Sequence, residues 1–148
     1  MPQNKTQTKP RILLVEDNEG DEFLILDAFQ HASYPYEIEV ARDGEEALNR
    51  IQRTNGFADA PLPDLILLDL NLPKVDGRSV LKTVKTDEGL MQLPVLILTT
   101  SSSERDIEEC YELHANAYMT KPFKVEDYEN IVESIGSFWF RAVKLPAH

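Results

Sequence analysis

The chain has 148 residues, 42% hydrophobic and 28% charged, which is enough for one substantial core and too few for two. Its 15 basic and 26 acidic residues leave a net charge of −11, which repels nucleic acid and anionic lipid and argues against binding either. No apolar run approaches the ~18 residues of a membrane span, and a single cysteine, Cys110, excludes an internal disulfide. A polar N-terminus in place of a signal sequence then points to the cytoplasm.

Residues 1–9 read as a disordered polar tail, residues 10–141 as the folded domain, and residues 142–148 as a second tail. Arg11-Ile12-Leu13-Leu14-Val15 is a short buried strand running into Glu16-Asp17-Asn18. Residues 19–32 carry a helical apolar face of Phe23, Leu26, Ala28 and Phe29, and Tyr34-Pro35-Tyr36 breaks it. Residues 37–41 alternate as a half-exposed strand near a sheet edge does, and Asp43-Gly44 turns the chain into a second helix. A long loop over 55–63 leads to Leu65-Ile66-Leu67-Leu68, four aliphatics bounded by prolines, the pattern of a strand buried on both faces. Asp69 stands where that strand runs out.

Beyond the loop over 71–77, Val80, Leu81 and Val84 mark a third helix, whose Lys82 and Lys85 beside Asp87 and Glu88 read as a solvated face. Residues 94–99 form another buried strand, ending in the hydroxyls of 99–103. A fourth helix passes through Ile107, Cys110, Tyr111 and Leu113, with Cys110 read as a buried small hydrophobe. Ala117-Tyr118-Met119 is the fifth strand, Lys121-Pro122-Phe123 its exit loop, and 125–140 the last helix.

Strands alternating with helices in this way force right-handed crossovers and a parallel sheet covered on both faces. The expected fold is α/β, a flavodoxin-like doubly wound five-stranded parallel sheet of order 2-1-3-4-5. The strand ends then share one edge, and four adjacent ones bring Glu16 and Asp17, Asp69, Thr99 and Lys121 into one cleft. Singly, each has a plainer explanation: a strand-end Asp is commonly a turn or cap residue, and a lysine is commonly a surface ion pair. Together they describe a site. Three close carboxylates raise one another's pKa unless a cation lies among them. An oxygen-rich set of this kind suits Mg²⁺, with Asp17 and Asp69 as direct ligands, Glu16 acting through water and the backbone carbonyl of Asn71 completing the set. Thr99 and Lys121 suit phosphoryl oxygens instead, so the cleft is suited to placing a phosphoryl group on Asp69.

The set Glu16-Asp17, Asp69, Thr99 and Lys121-Pro122, with Leu72-Pro73, Gly77 and Asp43-Gly44, resembles the receiver domains of two-component response regulators over roughly residues 9–135. The resemblance implies that Asp69 accepts a phosphoryl group from a sensor histidine kinase, with Mg²⁺ required. It implies no enzyme activity beyond the domain's part in its own phosphotransfer and a slow autodephosphorylation. It also implies that Lys121-Pro122 is a cis peptide, and that Thr99 and Tyr118 form a switch pair reshaping the face of helix four, strand five and helix five. Asn71 and Ser101 occupy the two positions that tune dephosphorylation in that family.

Past the receiver region only about a dozen residues remain, too few for a helix-turn-helix or a catalytic output domain, so the signal is expected to leave through protein contacts. Tyr128, Val132, Ile135 and Trp139 make a core stripe on the last helix, which Ile131, Phe138 and Phe140 widen beyond one face. Ile131, Phe138, Trp139 and Phe140 are therefore candidate interface residues, against the plainer reading that they close the bottom of the core. This C-terminus, with the 55–63 loop, resembles the small single-domain regulators of cyanobacterial and bacterial phytochromes. That resemblance implies a phytochrome-like kinase partner and a homodimer.

Other readings fit less well. A haloacid-dehalogenase-type phosphatase needs a general acid two residues after the acceptor, and Asn71 cannot release a proton. A nucleotide carrier needs a phosphate-binding loop after strand one, where Glu16 and Asp17 repel phosphate. A receiver-fold docking module without phosphotransfer is the remaining alternative.

Overall fold

The alternation of side chains along each strand sorts the core into two layers, one on each face of a single sheet. The computed structural model describes residues 9–146; residues 1–8 of the expected N-terminal tail and 147–148 of the C-terminal one lie outside them. Strands β1 (Arg11–Val15), β2 (Glu37–Ala41), β3 (Leu65–Leu68), β4 (Val95–Thr99) and β5 (Ala117–Thr120) are all parallel, in the order β2-β1-β3-β4-β5. Between them run α1 (Glu19–Gln30), α2 (Gly44–Gln52), α3 (Gly77–Thr86) and α4 (Glu104–Glu112), and α5 (Glu126–Ile135) follows β5.

Leu13, Val15, Ile66, Leu68, Val95 and Ile97 point to one face, where they meet Ala47 and Ile51 of α2, Val80, Leu81 and Val84 of α3, and Cys110 of α4. Ile12, Leu14, Leu65, Leu67, Leu96 and Leu98 point to the other, against Ile25, Ala28 and Phe29 of α1 and Tyr128, Val132 and Ile135 of α5. All four residues of β3 are buried because the strand is central and covered twice, while β2, at the edge, buries only Ala41 completely.

Four local readings change. Phe23 is 67% exposed, and the buried side of α1 is Ile25, Ala28 and Phe29. Ile25 is two positions along the helix from Phe23, about 200° of rotation, so the two cannot share a face. Lys85 is buried rather than solvated, because its ammonium turns under the loop after α3 and donates to the carbonyls of Met91 (3.1 Å) and Leu93 (2.7 Å).

The last helix does not continue uniformly to 140. It widens into a π-helical segment, Gly136–Ala142, closed by the Val143 N–H on the Phe138 carbonyl at 3.0 Å. Gly136 permits this close docking, since a Cβ there would collide with the Tyr36 hydroxyl. Finally, the Lys121–Pro122 bond, expected cis, is trans, as is every peptide bond among the described residues. Trans is the favoured X–Pro isomer by about 0.5–1 kcal/mol, and in this isomer the Lys121 N–H is already bonded to the Thr99 carbonyl at 2.7 Å.

Candidate functional site

The hydrogen-bond ladders run one residue past the strands, and that extension fixes the site. The Glu16 N–H donates to the Ala41 carbonyl (3.0 Å), the Asp69 N–H to the Val15 carbonyl (3.1 Å) and the Lys121 N–H to the Thr99 carbonyl (2.7 Å). Each functional residue is thus held by the sheet and not by a free loop. Two glycines let neighbouring chain approach. A Cβ on Gly77 would strike the Asp69 carbonyl, and one on Gly44 would strike the Val75 carbonyl.

Lys121 is the centre. Its ammonium, with the side chain only 5% exposed, lies 2.8 Å from Glu16 Oε1, 2.8 Å from Asp21 Oδ2 and 3.0 Å from Asp69 Oδ2. An ammonium has three N–H donors, and here each faces a carboxylate. Burial alone lowers the Lys121 pKa, but the hydrogen bonds to Asp21, Glu16 and Asp69 outweigh it and the pKa is raised. Burial also pushes Glu16 up, to about 7; the Lys121 hydrogen bond opposes that rise and the Asp69 charge adds to it. One lysine does not neutralise three acids, and the most deeply buried carboxyl is the one that tends to keep its proton.

Glu16, Asp17 and Asp69 each offer a carboxylate oxygen, all within 4.8 Å of one another, with Asp17 exposed and the other two buried. Oxygen donors at this spacing fit a hard divalent cation that keeps some of its waters. The Asn71 N–H lies 3.4 Å from Asp69 Oδ1, so its peptide borders the acceptor. Thr99 is fully buried, and its hydroxyl is the one buried side-chain polar atom among the described residues with no hydrogen-bond partner. A hydroxyl left so at the sheet edge suits an oxygen-rich group that arrives from outside.

On the far side of Thr99, Tyr118 donates to the Ser101 carbonyl (2.8 Å) and the Ser101 hydroxyl donates to Asp106 (2.5 Å). Arg78, at the start of α3, bonds Asp106 and Glu109 of α4 and so fastens that loop to a second helix. Of the candidate interface residues, Phe138 is 54% exposed, while Ile131, Trp139 and Phe140 pack partly against the core.

The sequence reading missed Asp21 and the Arg78–Asp106–Glu109 group. Asp21 had a local signal: Asn18 is the N-cap of α1, and its side chain accepts the Asp21 N–H at 2.8 Å, which turns residue 21 toward the strand ends. The Arg78 group had none, because its partners lie 28 and 31 residues away.

Comparison with known proteins gives the family and the fold. The model of the response regulator receiver domain family matches residues 12–133. Response regulator Rcp1 of Synechocystis is 43% identical over 136 residues, covering 92% of this chain and 92% of its own length. The structure of the phosphorylated cyanobacterial phytochrome response regulator RcpA superposes with a TM-score of 0.90 at 44% identity, covering 95% of this chain and all of that one. The Mn²⁺-bound form of Rcp1 superposes at 0.87 with 43% identity, covering 93% and 99% of the two chains.

Proposed function

The chain belongs to the response regulator receiver domain family, and from that premise we propose that Asp69 accepts a phosphoryl group from a sensor histidine kinase of the phytochrome type. One observation carries the proposal: the Asp69 carboxylate is held 3.0 Å from a buried ammonium, beside two further carboxylates and an unpartnered buried hydroxyl. In the transfer, a carboxylate oxygen of Asp69 attacks phosphorus, and the phosphorus–nitrogen bond to the donor histidine breaks with its electron pair leaving on the ring nitrogen. Lys121 follows the new phosphoryl oxygens with its positive charge, and the Thr99 hydroxyl donates to one of them. A divalent cation, taken here to be Mg²⁺, would be held by Asp17, Asp69 and the Asn71 carbonyl, with Glu16 adjoining. When bound it offsets the negative charge that builds on the phosphoryl oxygens.

The phosphorylated state would then alter the Thr99–Ser101 loop and Tyr118, and with them the face made by α4, β5 and α5. Asn71 and Ser101 border the water that later hydrolyses the acyl phosphate, so the domain's only chemistry is on itself. The signal leaves by protein contacts. A homodimer on this face, with Phe138 the most open of the candidate interface residues, is the partner arrangement we favour. The folded receiver over 10–141, the buried lone thiol of Cys110 and the strong negative charge suit a cytoplasmic partner of a kinase that binds no nucleic acid. No helix among the described residues is long and apolar enough to cross a membrane.

The test is intact-protein mass after incubation with acetyl phosphate, with and without Mg²⁺, on the wild type and Asp69→Asn. A single added phosphoryl group that needs both Asp69 and the cation is expected. A folded wild type that gains no mass would instead favour a docking module.

A further inference from the structure

The three carboxylates around Lys121 do not have equal fates once the site works, and the inference that follows rests on the acceptor reading above. Asp69 becomes the acyl phosphate, so the oxygen that Lys121 now contacts at 3.0 Å is no longer a free carboxylate. Glu16, 2.8 Å away, belongs to the cluster that suits a divalent cation, and its charge is drawn there when the cation binds. Asp21 alone has no part in either event. It lies outside the cation cluster, on the first turn of α1, and its carboxylate is 2.8 Å from the ammonium.

Asp21 is also held firmly at its own end. Its backbone N–H is bonded at 2.8 Å to the side chain of the N-cap Asn18, and Asn18 in turn bonds the Glu16 carboxylate through its N–H at 3.1 Å. The first turn of α1 is therefore tied to the sheet edge, and it presents Asp21 to a lysine 100 residues further along the chain. The Asp21 side chain is 28% exposed, against 1% for Glu16 and 8% for Asp69, so it is the most solvent-accessible of the three carboxylates that hold the ammonium.

We infer that Asp21 is a positioning residue for the phosphoryl transfer: it is the permanent anchor that keeps the Lys121 ammonium over Asp69 when Glu16 and Asp69 are otherwise engaged. Without it the ammonium has only the two carboxylates of the reaction itself as partners. It then settles between Glu16 and Asp69, where it obstructs the cation and meets the incoming phosphoryl group late. A plain electrostatic role predicts something different, since a third negative charge near the site can only weaken the attraction for a phosphoryl donor.

The experiment compares the wild type, Asp21→Ala and Asp21→Asn, with thermal melts as the check on folding. The rate of mass gain from acetyl phosphate at saturating Mg²⁺ is expected to fall about 10-fold in Asp21→Ala, as for the loss of one charge-assisted hydrogen bond at a reacting group. Asp21→Asn keeps an acceptor oxygen without the charge and is expected to recover to within about threefold of the wild type. A second readout needs no phosphoryl group or cation: the Lys121 ammonium signal in the nitrogen-15 NMR spectrum, visible in the wild type because its protons are held, is expected to vanish in Asp21→Ala and persist in Asp21→Asn. Unchanged rate and signal in Asp21→Ala, or an Asp21→Asn no better than Asp21→Ala, would overturn the inference. A wild type that takes up no phosphoryl group would overturn the acceptor reading instead, and the ammonium signal would still decide whether Asp21 holds the lysine.

Discussion

The Tyr118 hydroxyl on β5 donates to the Ser101 carbonyl at 2.8 Å, so the fifth strand holds the loop that leaves the fourth. The same loop is held from the other side, where the Ser101 hydroxyl donates to Asp106, which Arg78 grips from α3. Two residues before Ser101 stands Thr99, whose buried hydroxyl has no hydrogen-bond partner among the described residues. The loop is thus fixed in one arrangement while its functional group waits for another. Tyr118→Phe keeps the ring packing and removes one neutral hydrogen bond, so a loss of about 1 kcal/mol is expected in urea unfolding. Amide exchange at Ser103 and Asp106 should rise with it. An unchanged midpoint with unchanged exchange would mean that the Arg78 side alone holds the loop.

Thr99 should behave in the opposite way. A buried hydroxyl with no partner costs stability, and valine replaces it with a methyl of nearly the same volume. Thr99→Val is therefore expected to stabilise the unphosphorylated protein by about 1 kcal/mol, while the phosphorylated form loses the donor to its oxygens. Denaturation of both forms separates the two effects. If Thr99→Val destabilises the unphosphorylated protein, the hydroxyl has a partner, such as a buried water, that accounts for it.

Glu16 gives the cation-free protein a pH dependence whose sign is fixed. Its pKa is about 7 in the fold against 4.5 for the free side chain, raised mainly by burial. The folded state therefore holds a proton that the unfolded chain releases, so this contribution is complete below 4.5 and is lost as the pH rises through about 7. A cation favours the ionised carboxylate and must displace that proton. Mg²⁺ binding near pH 6 is thus expected to release most of one proton, and near pH 8 much less. Calorimetry in two buffers of different ionisation enthalpy measures the release. Glu16→Gln should remove it, and equal release by the wild type at both pH values would exclude the raised pKa.

The sheet and its order were legible because each strand carries its burial in its own residues. Leu65 to Leu68 could not be a surface strand, and Glu37 to Ala41 could not be a central one. Parallel connectivity then brought Glu16, Asp69, Thr99 and Lys121 to one edge without knowledge of any contact. What the sequence hid was phase and partnership. Local pattern puts Phe23 on the wrong side of α1 because α1 is apolar on more than one side, with Leu24 and Leu26 both half-buried. Lys85 looked like its charged neighbours, and only the carbonyls of Met91 and Leu93, presented by a folded loop, make it an interior residue. At the site, the Asn18 cap marks the turn that carries Asp21, but its partner Lys121, 100 residues away, leaves no mark on that local pattern.

Gly77 tests how closely the acceptor strand depends on its neighbour. Its N–H donates to the Leu70 carbonyl at 2.9 Å, so α3 begins in direct contact with the end of β3. A Cβ at this position would overlap the Asp69 carbonyl and crowd the Leu70 Cα, and both are backbone atoms that cannot turn aside. Gly77→Ala must therefore move the start of α3 away from the sheet or tilt the Asp69 peptide, and overpacking of this kind costs about 1–3 kcal/mol. Tilting the peptide swings the carboxylate away from Lys121, so phosphoryl uptake should slow as well as stability fall. Gly89→Ala is the control: it is exposed, and its Cβ would meet nothing nearer than an Asp87 oxygen at 3.4 Å. Its effect should stay within about 0.5 kcal/mol. Urea unfolding and the rate of mass gain from acetyl phosphate, run on both variants, check the pair. If Gly77→Ala is as mild as Gly89→Ala in both measurements, α3 can slide without disturbing Asp69, and the close approach is not what positions the acceptor.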